Sequence, residues 1–169
     1  KNFEKTSFEY DIINVKTGDV EKSVTLKADS SVRVMVTGGT EYMVVPKNLE
    51  VPGYIVTTTS TPDSATVTSD KIGNVSVDFT HIYVVGLNTE DHYAYIRGYE
   101  DGTIRPEGNI TRAEVATIFY RLLSSEALAA FKTTENTFTD VDSDAWYNLS
   151  VSTLAKAGVI SGYPDGSFN

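Results

Sequence analysis

The apolar residues of this 169-residue chain change period near Gly86, and that change limits what each half can fold into. From residue 8 to about 85 the period is two. In "SVRVMVT", Val32, Val34 and Val36 share one parity, while Arg33 and Met35 take the other. "VTLKA" groups Val24, Leu26 and Ala28 in the same way, and "NVSVDF" groups Val75, Val77 and Phe79. Successive side chains of a strand point to opposite faces, so this alternation predicts strands with one buried face. Turn residues punctuate the runs at Thr17-Gly18-Asp19, Gly38-Gly39, Pro52-Gly53, Pro62-Asp63 and Gly73-Asn74. Strands are predicted over 8–15, 21–28, 31–37, 41–46, 54–61, 64–69 and 74–85. Many short Val- and Thr-rich strands at this spacing predict an antiparallel β-sandwich.

Beyond Gly86 the period becomes helical. Val115, Ile118, Phe119, Leu122 and Leu123 fall at i, i+3, i+4, i+7 and i+8, one stripe of an amphipathic helix. A second helix fits "DAWYNLSVSTLAKAG", where Tyr147, Val151, Leu154 and Ala155 align and Gly158 sits at the stop position. "SSEALAAFKTTEN" between them reads as a helix end and a loop. The expected fold class is therefore α+β and multidomain, a β-sandwich over 1–85 followed by an α-helical region.

Composition removes several classes of function. The net charge is −9, which argues against nucleic acid as a partner. With no cysteine, disulfide scaffolds and cysteine nucleophiles are excluded. No run of about 18 apolar residues is present, so no membrane-spanning segment is expected. The two histidines, His81 and His92, fall in different halves, which leaves a catalytic triad or a His-rich metal site without support. "DVDSDA" places acids at positions 1, 3 and 5 of a calcium-type loop, but Ala145 stands where the turn glycine belongs and Val151 where a bidentate Glu belongs. Helix capping by Asp142, Ser143 or Asp144 accounts for the same residues. Neither catalysis nor a cofactor nor a metal is expected.

Residues 86–169 carry 6 basic and 12 acidic side chains, yet four of the five arginines, Arg97, Arg105, Arg112 and Arg121, cluster there. A local set of guanidinium groups in an acidic region suggests one specific anionic group. Arg112 is the candidate. Thr111 and Glu114 form T-x-x-E, a capping box, with Ile110 and Val115 placed for a hydrophobic staple. The cap contributes about 1 kcal/mol, whereas a cation at the positive end of the helix dipole costs about 0.3–1 kcal/mol. Arg112 is thus tolerable without helping the fold. Either it pairs locally with Glu107 or another acid, or it forms a carboxylate or phosphate pocket with the first-turn amides. Spacing alone leaves both open.

"IRGYEDGTIRP" (96–106) and "ISGYPDGSFN" (160–169) share I-x-G-Y-x-D-G-[ST]-[IF], 64 residues apart, which indicates a stacked-repeat architecture. The second copy stops where its own T-x-x-E should follow, so the chain is expected to end mid-repeat and to be an interior piece of something longer. With "FTDV…AWYNLSVSTLAKAGVISGYPDGSF" and "GYEDGTIRPEGNITRAEVATIFYRLL", the region from about 87 to 169 resembles S-layer homology (SLH) repeats. The resemblance implies a shortened first repeat over 86–132 and a second over 133–169 that lacks its T-R-A-E helix. It implies a secreted protein of the bacterial cell surface, anchored noncovalently to an anionic, pyruvylated secondary cell-wall polysaccharide. It places Arg112 on the ketal carboxylate, Trp146 against a sugar face, and Asp140, Gly98 and Gly162 as groove formers, with Thr111 and Glu114 as the supporting cap. Another copy of the chain is the expected partner for completing a bundle, because the stripe of Val115, Phe119 and Leu122 needs a cover.

The first half resembles, more loosely, Cna-B-like or pilin-type surface domains, through "FEYDI…VTLKADSSVRVMVTGGTEYMVVP…GYIVTT…VDFTHIY". Such domains often carry a Lys–Asn isopeptide bond. Here Pro46 and His81 stand where the acid and the asparagine often lie, so none is expected, although Lys5 supplies an amine. His81 reads as a hydrogen-bonded histidine at the end of a core strand. The alternative to anchoring is a structural or adhesive module that binds a protein partner, with the repeat fragment not competent to bind.

Overall fold

The computed structural model describes residues 5–68, 74–91 and 94–169. His92, Gly73 and Ser69, the last residue of one predicted strand, lie outside the described residues. The chain divides into two compact units, one of residues 4–51 and 56–83, the other of 1–3, 52–55 and 84–169.

The first of these units is built on strands. β1 (Ser7–Asn14), β2 (Val20–Lys27), β3 (Glu41–Lys47) and β5 (Thr66–Thr68) form an antiparallel sheet in the order β2-β1-β3-β5. β4 (Tyr54–Thr61) and β6 (Asp78–Val85) pair separately. The period-two pattern is obeyed most clearly on β1, where Phe8, Tyr10 and Ile12 are buried between more exposed neighbours. Tyr42 of β3 is 2% exposed, and its hydroxyl accepts the backbone N–H of Thr37 at 3.1 Å. Asp11 on the opposite parity of β1 accepts from the Ser23 hydroxyl at 2.6 Å and pairs with Lys47 at 2.9 Å, and these, the Ser23 bond foremost, keep its carboxyl below the usual range.

Three strand expectations need correction. Residues 31–37 form no ladder; Val34 and Val36, with Val77, instead line an apolar cavity of about 330 Å³. β5 has only three residues, and β6 begins at Asp78 rather than 74. Alternation reports which face of a segment meets apolar surface, and it is silent on whether a neighbouring strand takes the backbone bonds.

His81 of β6 bonds through both ring nitrogens, Nε2 to the Tyr10 hydroxyl and Nδ1 to the Thr58 hydroxyl, each at 2.8 Å. It stacks on Phe8 and Phe79. Burial, with Lys5 adding a like charge, pushes its pKa below the ordinary histidine value. Lys5 donates to the backbone carbonyl of Asn48, whose carboxamide donates to Glu9 at 2.8 Å.

The other unit is helical: α1 (Arg112–Arg121), α2 (Ser125–Phe131) and α3 (Asn148–Lys156). α1 and α2 pack on α3, and Val151, Leu154 and Ala127 are fully buried. α2 is a separate helix where a helix end and a loop were expected. Ser124 caps it by accepting from Ala127 N–H, so the serine pair starts a new helix after the α1 stop at Leu122. The stripe on α1 is also shifted. Ala116 and Leu123 are buried, whereas Phe119 is 47% exposed. Small Ala116 permits the close approach to α3 that a larger residue would prevent.

α3 is stopped as its sequence suggests. Gly158 takes a φ of 72°, and the Gly158 and Val159 amides donate to the Ala155 and Leu154 carbonyls, the two bonds of a Schellman motif. Its start differs from expectation, because N-cap Tyr147 makes no side-chain cap bond and neither Asp142, Ser143 nor Asp144 caps it. The Ser143 carbonyl instead accepts from buried Asn148. Asn148 joins Asn136 and Ser152 in a buried polar network, and Thr153 exchanges hydrogen bonds with Thr133 in both directions. α3 is therefore buried on its polar side as well.

Candidate functional site

The two copies of the G-Y-x-D-G loop adopt one conformation. In the first, Tyr99 N–H donates to the Thr103 carbonyl and Gly102 N–H to the Tyr99 carbonyl; in the second, Tyr163 N–H donates to Ser167 and Gly166 N–H to Tyr163. Asp101 accepts the Thr103 amide and hydroxyl, as Asp165 accepts those of Ser167. A Cβ on Gly98 would lie 2.7 Å from the Thr103 carbonyl, and one on Gly162 would lie 2.5 Å from the Ser167 carbonyl. Both glycines close their own loop, and no side chain fits at either position.

The start of α1 lies against both loops. Thr111 Oγ1 accepts Glu114 N–H at 3.2 Å, and Glu114 Oε2 accepts Thr111 N–H at 2.8 Å, so the capping box forms as its sequence predicts. Those bonds hold the Glu114 carboxyl below its usual pKa. Tyr99 of the first loop donates to the other carboxylate oxygen of Glu114 at 3.2 Å. Arg112, two positions earlier, reaches the second loop. It donates to the Ser161 carbonyl at 2.8 Å and to the Tyr163 hydroxyl at 3.3 Å.

The local ion pair with Glu107 is not made. Among the described residues, the salt bridges are Lys47–Asp11 and Arg105–Asp101. The Arg112 guanidinium instead lies 4.9 Å from the Tyr163 ring centroid and 4.7 Å from that of Phe168. Two exposed cation–π contacts contribute about 1–2 kcal/mol together, enough to offset the dipole cost of about 0.3–1 kcal/mol. Its two hydrogen bonds engage two of five N–H donors, and neither acceptor is charged.

The remaining candidates divide. Asp140 accepts the Phe168 and Asn169 amides at 2.6 and 2.7 Å, and these bonds hold its carboxyl below the ordinary value. It thereby ties down the segment that places Phe168 beside Arg112. Trp146 is 65% exposed and packs edge-on against Tyr147. Gly98 belongs to the first loop, joined to the cap through Tyr99. The four arginines do not converge. Arg105 pairs with Asp101 and stacks on Tyr99, and Arg121 donates to the Tyr95 carbonyl. Arg97 and Arg121 line a cavity of about 600 Å³ that Glu90, Asp91 and Glu126 also line. Tyr163 and Phe168 were missed as site residues, although the repeat itself marks both positions as aromatic or apolar. Among the described residues no cluster of three metal-ligating side chains occurs, and no helix is long and apolar enough to cross a membrane.

Comparison with known proteins agrees with the repeat. The S-layer homology domain model matches residues 93–116 and 137–169. The chain is 38% identical over 80 residues to the Cellulosome-anchoring protein of Acetivibrio thermocellus, covering 47% of this chain and 18% of that protein. It is 39% identical over 85 residues to Cell surface glycoprotein 1 of the same organism, covering 50% and 4%. It is 36% identical over 73 residues to the Middle cell wall protein of Brevibacillus brevis, covering 43% and 7%. No solved structure matches. The chain thus spans less than a fifth of these relatives, and the similarity lies in its C-terminal half, where the family model matches two segments, one for each loop.

Proposed function

We propose that the helical unit anchors a bacterial surface protein noncovalently to the cell wall, and that Arg112 receives a carboxylate of an anionic, pyruvylated secondary polysaccharide. One observation carries this reading. A guanidinium from the first repeat is held by a rigid cap and two aromatic rings of the second, and among the described residues no carboxylate pairs with it. A planar fork with free donors suits a carboxylate, and the exposed Trp146 ring suits a sugar face. Asp140, Gly98 and Gly162 shape the loops around that point. The function is binding at the cell surface, without catalysis, and the β-sheet unit, read as a Cna-B-like sandwich, serves as a spacer. The names of the relatives, a cellulosome anchor and a cell wall protein, support the same reading.

Sedimentation with purified cell walls, before and after removal of the secondary polysaccharide, tests it. The wild-type chain pellets with intact walls, and both stripping and Arg112→Ala abolish pelleting. Equal pelleting with stripped walls would overturn the proposal and favour a protein partner.

A further inference from the structure

The two loops share a backbone, but only one of them is covered. In the second, the Phe138 ring packs 5.5 Å from the Phe168 ring and against the Cα of Gly162, where an added Cβ would meet it at 2.5 Å. Thr139 N–H donates to the Gly166 carbonyl, and Asp140 takes the Phe168 and Asn169 amides. Phe168 is 4% exposed as a result. Three consecutive residues, aromatic–x–aspartate, thus add an extended segment along that loop.

The first loop presents the same surface, and among the described residues no ring or carboxylate covers it. Ile104, the counterpart of Phe168, is 68% exposed, and Ile96, the counterpart of half-buried Ile160, is 64% exposed. An added Cβ on Gly98 would meet only residues of its own loop, with no aromatic ring in the place Phe138 takes at Gly162. Among the described residues no carboxylate receives the Ile104 and Arg105 amides. The residues 64 positions before Phe138–Val141 are "NVSV", which belong to the strand unit, where Val75 and Val77 line its apolar cavity. They supply neither ring nor carboxylate.

We infer that the loop of residues 96–105 is a docking site for an extended polypeptide segment of the pattern aromatic–x–aspartate, supplied from outside this chain's own described fold. The ring covers Gly98 and Ile104, the middle amide donates to the Gly102 carbonyl, and the aspartate takes the Ile104 and Arg105 amides. Burial of Ile104 and the ring supplies the affinity, and the carboxylate with its two amide donors fixes the register. This interaction is with protein and is separate from the polysaccharide contact at Arg112.

The probe is a synthetic peptide of residues 135–142, "ENTFTDVD", titrated into the isotope-labelled full chain and followed by backbone amide NMR. The expected result is saturable shifts confined to residues 96–105. Affinity falls at least tenfold for peptides with Phe138→Ala or Asp140→Asn, and at least tenfold for the chain with Ile104→Asp. That substitution is on an exposed side chain, so the spectrum away from the loop and the sedimentation with walls stay as in wild type. Absence of saturable binding at millimolar peptide, shifts confined to 162–169, or indifference to Ile104→Asp would each overturn the inference.

Discussion

Gly162→Ala isolates the geometry that seats the second loop, with Gly98→Ala as its internal control. The added methyl at 162 meets the Phe138 ring at 2.5 Å and the Ser167 carbonyl at 2.5 Å, about 1 Å inside ordinary contact on two sides. The ring is packed against Phe168, which is 4% exposed, so it has little room to retreat. Overpacking of this kind costs about 1–3 kcal/mol. At 98 the methyl meets only the Thr103 carbonyl, at 2.7 Å, in a loop whose residues are all exposed. That carbonyl is backbone and must shift, so Gly98→Ala also destabilises, by about 1 kcal/mol, the low end of the overpacking range, because the clash is on one side and the loop is exposed. All three helices belong to one unit, so loss of the 222 nm circular dichroism signal in urea reports on that unit. Gly162→Ala is expected to lower the midpoint clearly more than Gly98→Ala, at unchanged slope. Equal effects, or a Gly162→Ala cost below about 0.5 kcal/mol, would refute the claim that Phe138 and Gly162 form a close-packed seat.

Thr111→Ala removes the oxygen that accepts Glu114 N–H, and is expected to destabilise the helical unit by about 1 kcal/mol in the same urea assay. Asn148→Ala strips a partner from buried Ser152 and from Asn136, and is expected to cost about 1–3 kcal/mol by thermal or urea unfolding. His81 has a folded pKa below its unfolded value, so the unfolded chain binds the extra proton first. Stability of the strand unit is then complete above about pH 6.5 and declines as pH falls through and below that value. An NMR titration of the His81 ring gives a midpoint below about 6.5, and His81→Gln flattens the pH dependence of unfolding in that window.

Legibility in the sequence followed the physics of each element. The α1 cap was readable because a capping box needs only two residues at fixed spacing, and Thr111 and Glu114 make it. The α3 stop was readable because a left-handed position favours glycine, and Gly158 is there. Strands at 31–37 and 74–77 were overread, since alternation encodes a buried face but not a hydrogen-bonded neighbour. The polar burial of Asn148, Ser150, Ser152 and Thr153 was invisible to a hydrophobic stripe, which treats small polar residues as solvent-facing. At the site, Arg112 stood out as a cation at a helix start, but spacing left open whether a local acid pairs with it; among the described residues no salt bridge to it forms. Its aromatic partners, 51 and 56 positions away, depended on long-range packing that no local pattern carries.

The most direct test is calorimetric binding of the chain to isolated wall polysaccharide, before and after chemical removal of the polymer's carboxylate groups. Wild type is expected to bind the native polymer at least tenfold more tightly than the carboxylate-free polymer. Arg112→Ala is expected to bind both equally weakly, because the substitution and the chemical treatment remove the same contact. If Arg112→Ala still distinguishes the two polymers as well as wild type does, the carboxylate meets some other group and the account of this site is wrong.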